Sequence, residues 1–318
     1  MRVASRAAEY TISELPTPAG LYHCNASRIN DGGQVVGGCW GRNVSSERAV
    51  LWANGNVTVL PQPPGFTSSY ASSISSTGEI VGSAQSTSGF EAMLWSNGGV
   101  QELPNLPGTF LTVASDVNAS GVIVGFSDNH AVEWINGQVV DFGGYNGDRP
   151  AAINDRGVFV GFGVINPGDV GGAIIDVGTP GAPLRYLVQS ALGAAYAINH
   201  FDEVAGFNRT GGVSTPDIPW TWQYGRFTYL PFLAGTNSCI PNGIDRLGTL
   251  VGLCSLGPAE ATIWKHGAAE NLNSLIQRKS HWRLWAATTI NASGDIVGDG
   301  EFRDVEEAFI LTPTHPLR

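Results

Sequence analysis

The chain reads as an all-β protein: a seven-bladed β-propeller of four-stranded antiparallel blades, its ring closed by the N-terminal strand pairing in the last blade. Three observations predict this. An apolar residue leading into a tight turn and a valine-rich return closed by glycine occurs seven times, beginning at Ile29, Ile74, Val117, Ile153, Ile198, Ile244 and Ile290. These starts lie 45, 43, 36, 45, 46 and 46 residues apart, and a period in the forties filled with strands is what a ring of four-stranded sheets produces. The last unit lacks a fourth strand, and an unassigned strand precedes the first.

The third unit shows the internal grammar. Val113 to Val117 alternates and ends at Asn118, whose side chain can cap the turn while Gly121 accepts a positive φ. Val122-Ile123-Val124-Gly125 returns as a second strand, and Ala131-Val132-Glu133-Trp134 follows a variable loop as a third. Asn136-Gly137 is a strong hairpin signal, and Gln138 to Phe142 makes the fourth strand. Trp52, Trp95, Trp134, Trp222 and Trp264 fall at equivalent third-strand sites, with Ile175 and Ile310 in their place in the fourth and seventh units. They are read as packing between blades. The glycines closing the second strands are read as permitting close backbone approach near the crowded axis.

Closure follows from the ends. Ala308 to Pro313 is the third strand of the last unit, and Tyr10 to Pro16 resembles the Val57-Thr58-Val59-Leu60-Pro61 fourth strand. Pairing the two removes the open edge at which strands recruit other chains, so a monomer is expected. The domain is expected to span 10–313, with 1–9 a leader remnant or tail and 314–318 a C-terminal tail.

Composition narrows the setting. Only 14% of the 318 residues are charged, the net charge is −10, and lysine occurs only at Lys265 and Lys279. That balance speaks against nucleic acid or an anionic membrane as partner. No apolar run reaches the roughly 18 residues needed to span a bilayer, and the first nine residues lack a signal-peptide core. Cys24/Cys39 and Cys239/Cys254 occupy identical repeat positions, fourteen residues between partners. Each pair comes out nearly opposite across its hairpin, close enough for a disulfide if the ladder is not bulged between them. Metal binding is the rival reading, but two cysteines alone make an incomplete site. Disulfides imply an oxidising compartment, hence a secreted or periplasmic protein.

These features resemble the bacterial HAF-family extracellular repeat: Ile-Asn-x-x-Gly-x-Val-Val-Gly, then Ala-Phe-Leu-Trp and a glycine turn. The resemblance covers roughly residues 10–313 and is most specific at Asn271 to Ile276, Trp282-Arg283-Leu284 and Ala308 to Pro313. Departures are Asp202 in place of the turn glycine of the fifth unit and the missing tryptophan of the fourth. The family implies a secreted β-propeller and no particular reaction.

Strand order assigns the loops to two faces. Turns between first and second strands, and between third and fourth, share one face and are short. The other face carries the variable loops and blade crossings, where binding sites collect on rigid frames. That face is expected to hold His23, His130, His281, Tyr145, Arg149 and Arg283 as catalytic candidates. Trp40, Tyr70, Asp128, Asp217, Trp220 and Trp282 are its ligand-binding candidates. The three histidines could meet at the axis as metal ligands or an acid–base pair; the blander reading makes them ordinary repeat residues. Tyr145 with Arg149, or His281 with Arg283, would suit a uronate lyase, in which a cation offsets the carboxylate while a base removes the α-proton. A glycosidase would need two carboxylates flanking the bond, for which Asp128, Asp148, Asp169 and Asp217 are available. Glu47, Glu91, Glu260 and Glu307 recur at the third strand, as a cation-binding ring or as residues keeping that edge solvated. No cofactor or dedicated metal site is expected, although a divalent cation stays open. Nucleophile-elbow, zinc-protease and P-loop motifs are absent from the sequence. The favoured function is a secreted recognition protein that binds an extracellular glycan or protein through its loop-rich face. The alternative is a polysaccharide lyase or glycoside hydrolase working at the channel mouth, and whether the chain is an enzyme is left open.

Overall fold

In the computed structural model, which describes residues 8–42, 47–142, 147–163, 172–176, 185–187, 192–209 and 215–315, the chain forms seven four-stranded antiparallel sheets. Blade 1 is typical, with strands His23–Ile29, Val35–Trp40, Arg48–Ala53 and Asn56–Val59 running from the axis to the rim. Blades 2 to 6 follow in order, their inner strands beginning at Ser68, Thr112, Arg149, Leu192 and Ser238. Blade 7 holds Trp282–Ile290, Ile296–Phe302 and Val305–Pro313, and Tyr10–Glu14 completes it from the other end of the chain. Tyr10 lies opposite Pro313 and Glu14 opposite Phe309, so the ring closes as the sequence predicts.

Seven buried clusters, one at each seam, hold the ring together. At four seams the third-strand tryptophan does more than pack. The indole N–H of Trp52, Trp95, Trp134 and Trp264 donates to the carbonyl of Pro16, Pro61, Pro104 and Pro231, each just past the outer strand of the preceding blade, at 2.7–2.8 Å. Blade 5 keeps its tryptophan, Trp222, although the preceding outer strand runs into Leu187-Val188 without a proline, whereas two other blades lack both halves. Blades 4 and 7, with Ile175 and Ile310, follow Phe142-Gly143 and Leu272-Asn273, which have no proline there.

The inner strands carry a feature absent from the sequence reading. Every one is bulged near its middle, at Ser27, Ser72, Ser115, Ala151, Tyr196, Asn242 and Thr288, and blade 7 carries a second bulge at Trp285. A bulge sets two residues against one and re-aims the extra side chain, and the first seven of these residues line the central channel. The cysteine expectation changes in its reasoning. Counting back from the Ile29/Val35 pair without a bulge would set Cys24 opposite Trp40; the bulge brings Cys39 opposite instead. Both disulfides form, Cys24–Cys39 and Cys239–Cys254, each with Cα atoms 4.1 Å apart.

A second ring lies at the turns. Asn30, Asn118, Asn154, Asn199 and Asn291 each accept two backbone N–H groups of their own turn through Oδ1. The same amides donate through Nδ2 to the equivalent backbone carbonyl of the next blade: Asn291 to Asn30, Asn30 to Ser75, Asn118 to Asn154, Asn154 to Asn199 and Asn199 to Asp245, at 3.0–3.2 Å. Ser75 and Asp245 interrupt the ring because neither side chain has an amide donor. Asp202 takes the turn-glycine position at φ 58° and adds its own link, accepting from Asn154 at 2.8 Å and pairing with Arg156 at 3.1 Å.

This arrangement separates two roles of one amide. Asn118→Asp retains the acceptor that caps the turn and removes the donor that reaches blade 4, so it is expected to lose about 1–3 kcal/mol in urea denaturation. Asp245→Asn supplies a missing donor and is expected to gain about 0.5–1.5 kcal/mol. Equal stability for wild type and both variants would show that the ring contributes nothing.

Candidate functional site

Two places bring functional side chains together: the axis, and a groove on the loop-rich face at the seam of blades 6 and 7. On the axis, a cavity of about 200 Å³ opens among the short turns, on the face expected to be plain scaffold. The inner strands set its chemistry just after their bulges. Arg28 of blade 1 pairs with Asp116 of blade 3 at 2.8 Å, Ser73 of blade 2 donates to Asp116 at 2.5 Å, and the Ile153 amide of blade 4 donates to the same carboxylate at 2.9 Å. One carboxylate thus ties four blades, and its charge is balanced by Arg28. The sequence gives no separate signal for this network, because Asp116 enters the channel only through the bulge beside it.

Farther toward the loop face, Ser27 donates to the Tyr70 hydroxyl at 2.6 Å. Burial pushes Tyr70 up to about 12, Ser27's hydrogen bond offsets part of that, and Asp299 and Glu47 add to the rise. Glu47 and Asp299 are themselves pushed up to about 7, chiefly by burial. The Ala26 N–H donates to Asp299 at 3.1 Å across the closing seam and partly offsets its shift. Blades 3 to 5 carry Phe126, Phe162 and Phe207 at the position of Asp299, whereas blades 1 and 2 carry Gly38 and Ser83.

These two carboxyls set a pH dependence. Each binds its proton more tightly in the folded than in the unfolded chain, where Asp and Glu titrate near 4. Their contribution to stability is therefore fully present below about pH 4 and is lost as pH rises toward 7. The urea midpoint is expected to fall between about pH 5 and 7.5, and Glu47→Gln with Asp299→Asn to flatten that fall.

The sequence-derived candidates scatter. His23 lies across the ladder from Trp40 with ring centroids 5.9 Å apart, and its Nδ1 is 3.4 Å from the Glu306 carbonyl oxygen. His130 sits on a third strand, 3.1 Å from Asp141. His281 is exposed at φ 62° beside blade 7. The three have separate surroundings, and among the described residues no group of three His, Cys, Asp or Glu side chains is arranged to hold a metal ion. Tyr145 and Asp169 lie outside the described residues. Arg149 stacks over Phe126 at 3.7 Å and donates to the Asp128 carbonyl; burial pulls its pKa down. Asp128, at φ 50°, accepts from the Phe110 and Leu111 amides, and Asp217 is held by Arg209 and Ser238. Trp220 corrects an expectation: it is fully buried between blades, edge-on to Phe227, and offers no face to a ligand. Trp222, two residues on and therefore on the same face of the strand, packs half-buried against the same seam. Glu91 accepts from Asn105, Glu260 from Asn271 and Asn273, and Glu307 from Thr17, so these three glutamates are tied to crossing segments.

Trp282 alone lines the second place. It stacks on Phe302 with centroids 5.1 Å apart and planes at 24°, while Phe309 meets it edge-on at 6.0 Å. Counting back from the Ile290/Ile296 pair without bulges would set Trp282 opposite Asp304; two bulges move it opposite Phe302. That shift is why Phe302 was missed. The two rings lie in a groove of about 330 Å³ whose other walls are Thr11, Ile12 and Glu14 of the closing strand and Gln277 and Ser280 of the crossing. Arg283 is exposed and lies across from Glu301, on the face of blade 7 away from Trp282.

No family model matches the chain, and no curated protein matches it. Solved structures share its architecture. The β-propeller domain of the Trilobed protease from Pyrococcus furiosus is 13% identical with a TM-score of 0.60, over 92% of this chain and 94% of that one. A puromycin-hydrolyzing peptidase of Mycobacterium tuberculosis is 13% identical at a TM-score of 0.61, over 97% of this chain and 55% of that one. A prolyl endopeptidase is 9% identical at 0.59, over 93% and 51%. The chain thus spans about half the length of these two peptidases, and at such identities the likeness concerns the fold alone. The Pyrococcus domain is described as having an open velcro topology, whereas here Tyr10–Glu14 seals the last blade.

Proposed function

We propose that this propeller is an extracellular recognition module that binds carbohydrate in the groove floored by Trp282 and Phe302. The observation that carries the reading is the stacked aromatic pair, Trp282 backed by Phe302, within a fringe of hydroxyl, amide and carboxylate groups from Thr11, Ser280, Gln277 and Glu14. A sugar ring presents C–H bonds on its faces and hydroxyls at its edge, so an aromatic floor with a polar rim suits it. Two disulfides favour an oxidising compartment, in keeping with an extracellular ligand. A glycan array followed by calorimetric titration of the hits tests this, with Trp282→Ala expected to weaken binding at least tenfold. The reading fails if no glycan binds, or if binding survives Trp282→Ala unchanged.

A second reading, a carbohydrate-active enzyme working inside the channel, has one observation in its favour: Glu47 and Asp299 are both pushed up to about 7, chiefly by burial, and the charge of each acts on Tyr70. A carboxyl titrating near neutrality suits general acid–base work. Release of reducing or unsaturated ends from a polysaccharide panel, lost in Glu47→Gln, would support it; no turnover of any polymer would remove it.

A further inference from the structure

The groove at Trp282 sits in an unusual stretch of this acidic chain. Between Glu270 and Asp295 there is no Asp or Glu, yet this stretch holds Arg278, Lys279 and Arg283, in a protein with only 17 Lys and Arg against 27 Asp and Glu. Arg278 and Lys279 are exposed on the loop whose Gln277 and Ser280 wall the groove. From the opposite side Arg303, also exposed, lies over the Phe302 ring with its guanidinium carbon 4.9 Å from the centroid. None of the three has an ion-pair partner among the described residues. The nearby acids are mostly turned away. Glu301 and Glu306 face each other across the ladder with Arg283, on the side of blade 7 opposite Trp282 and Phe302, which leaves Glu14 in the groove wall and Asp304 at the turn. The Arg303-Asp304 turn holds both residues at positive φ, 53° and 67°, without a glycine, a backbone cost that fixes Arg303 beside the aromatic floor.

We infer that the ligand of this groove is an acidic polysaccharide, a chain of uronate residues whose rings lie against Trp282, backed by Phe302, while their carboxylates meet Arg278, Lys279 and Arg303. This rests on the carbohydrate reading above and adds the charge of the polymer to it. Guanidinium groups accept the fork geometry of a carboxylate. Cations at a wet rim contribute attraction that salt screens, whereas stacking on the floor does not depend on salt. A single Glu14 in the wall is outnumbered, and it selects against carboxylates on one edge of the sugar rather than on the other.

The test uses the whole protein with polygalacturonate and alginate, each against its neutral methyl ester, so that the backbone is constant and only charge changes. Binding to at least one acid form is expected to exceed binding to its ester at least tenfold and to weaken as sodium chloride rises. Arg278→Gln with Lys279→Gln and Arg303→Gln, exposed changes that leave the melting temperature unaltered, are expected to remove that preference while weak ester binding remains. Trp282→Phe, which retains an aromatic floor, guards against a misfolded alanine variant and is expected to keep the preference for charge. Equal binding of acid and ester overturns the charge inference and leaves the carbohydrate reading standing. Binding of neutral glycans alone does the same, and binding of none overturns both. Equal affinity for single-stranded DNA overturns the polysaccharide assignment, since it would mark simple polyanion exchange.

Discussion

Replacing Gly125 by alanine is expected to abolish folding or to remove more than about 3 kcal/mol of stability. A Cβ built on Gly125 would lie 2.0 Å from the Val113 carbonyl oxygen and 3.0 Å from the Ala114 Cα, both backbone atoms of the inner strand. Neither can rotate aside, so the ladder itself would have to part. Gly37, Gly82, Gly161, Gly206, Gly252 and Gly298 meet the matching carbonyl at 2.0–2.2 Å, which makes the constraint a property of the bulged inner strand rather than of one blade. The informative control is Gly137→Ala at a hairpin tip, where φ is +77° but nothing lies within 4 Å. There only the left-handed conformation resists the change, at about 1–2 kcal/mol. Chemical denaturation of both variants checks the contrast, and equal losses would show that space at the bulge is not what requires glycine.

The second large effect is expected at Trp134, which is 1% exposed and donates to the Pro104 carbonyl at 2.8 Å. Trp134→Ala empties a seam packed by Leu103, Val117, Ile123 and Val132 and is expected to lose about 3–5 kcal/mol. Trp134→Phe retains much of the apolar volume and removes the indole donor, so a loss of about 1.5–3 kcal/mol is expected, part of it from a buried carbonyl left unpaired. Thermal unfolding resolves the series. A phenylalanine variant as stable as wild type would mean that the proline contact is incidental to packing.

Much of the fold was legible in the sequence because propeller units are selected locally. Alternation, Asn-Gly tips and the spacing of Ile290 from Ile244 report on one blade at a time, and the unpaired ends at Tyr10 and Pro313 specify closure. The site was far less legible, for reasons of register. A bulge at Ser27 or Thr288 carries no glycine or proline to announce it, yet it decides which side chains enter the channel and which face each other. Hence Asp116 and Arg28 were overlooked, Phe302 was not matched with Trp282, and Trp220 was offered as a platform although it points into a seam. The histidines illustrate a different limit. His23, His130 and His281 share a face of the disc, but a face is wide, and depth within each sheet separates them. The asparagine ring hides for a third reason: an Asn that caps its own turn looks complete until the neighbouring blade supplies an acceptor for its second nitrogen.

The Thr314 amide donates to the Glu9 carbonyl at 2.8 Å, just beyond the sealing pair of strands. Chain entry and chain exit therefore adjoin at the outer rim, and a few-residue tether could splice them. Reopening the polypeptide at the Asn136-Gly137 tip would then yield a circular permutant in which every strand keeps its neighbours. For this disc, the order of blades along the polypeptide is separable from their order in space.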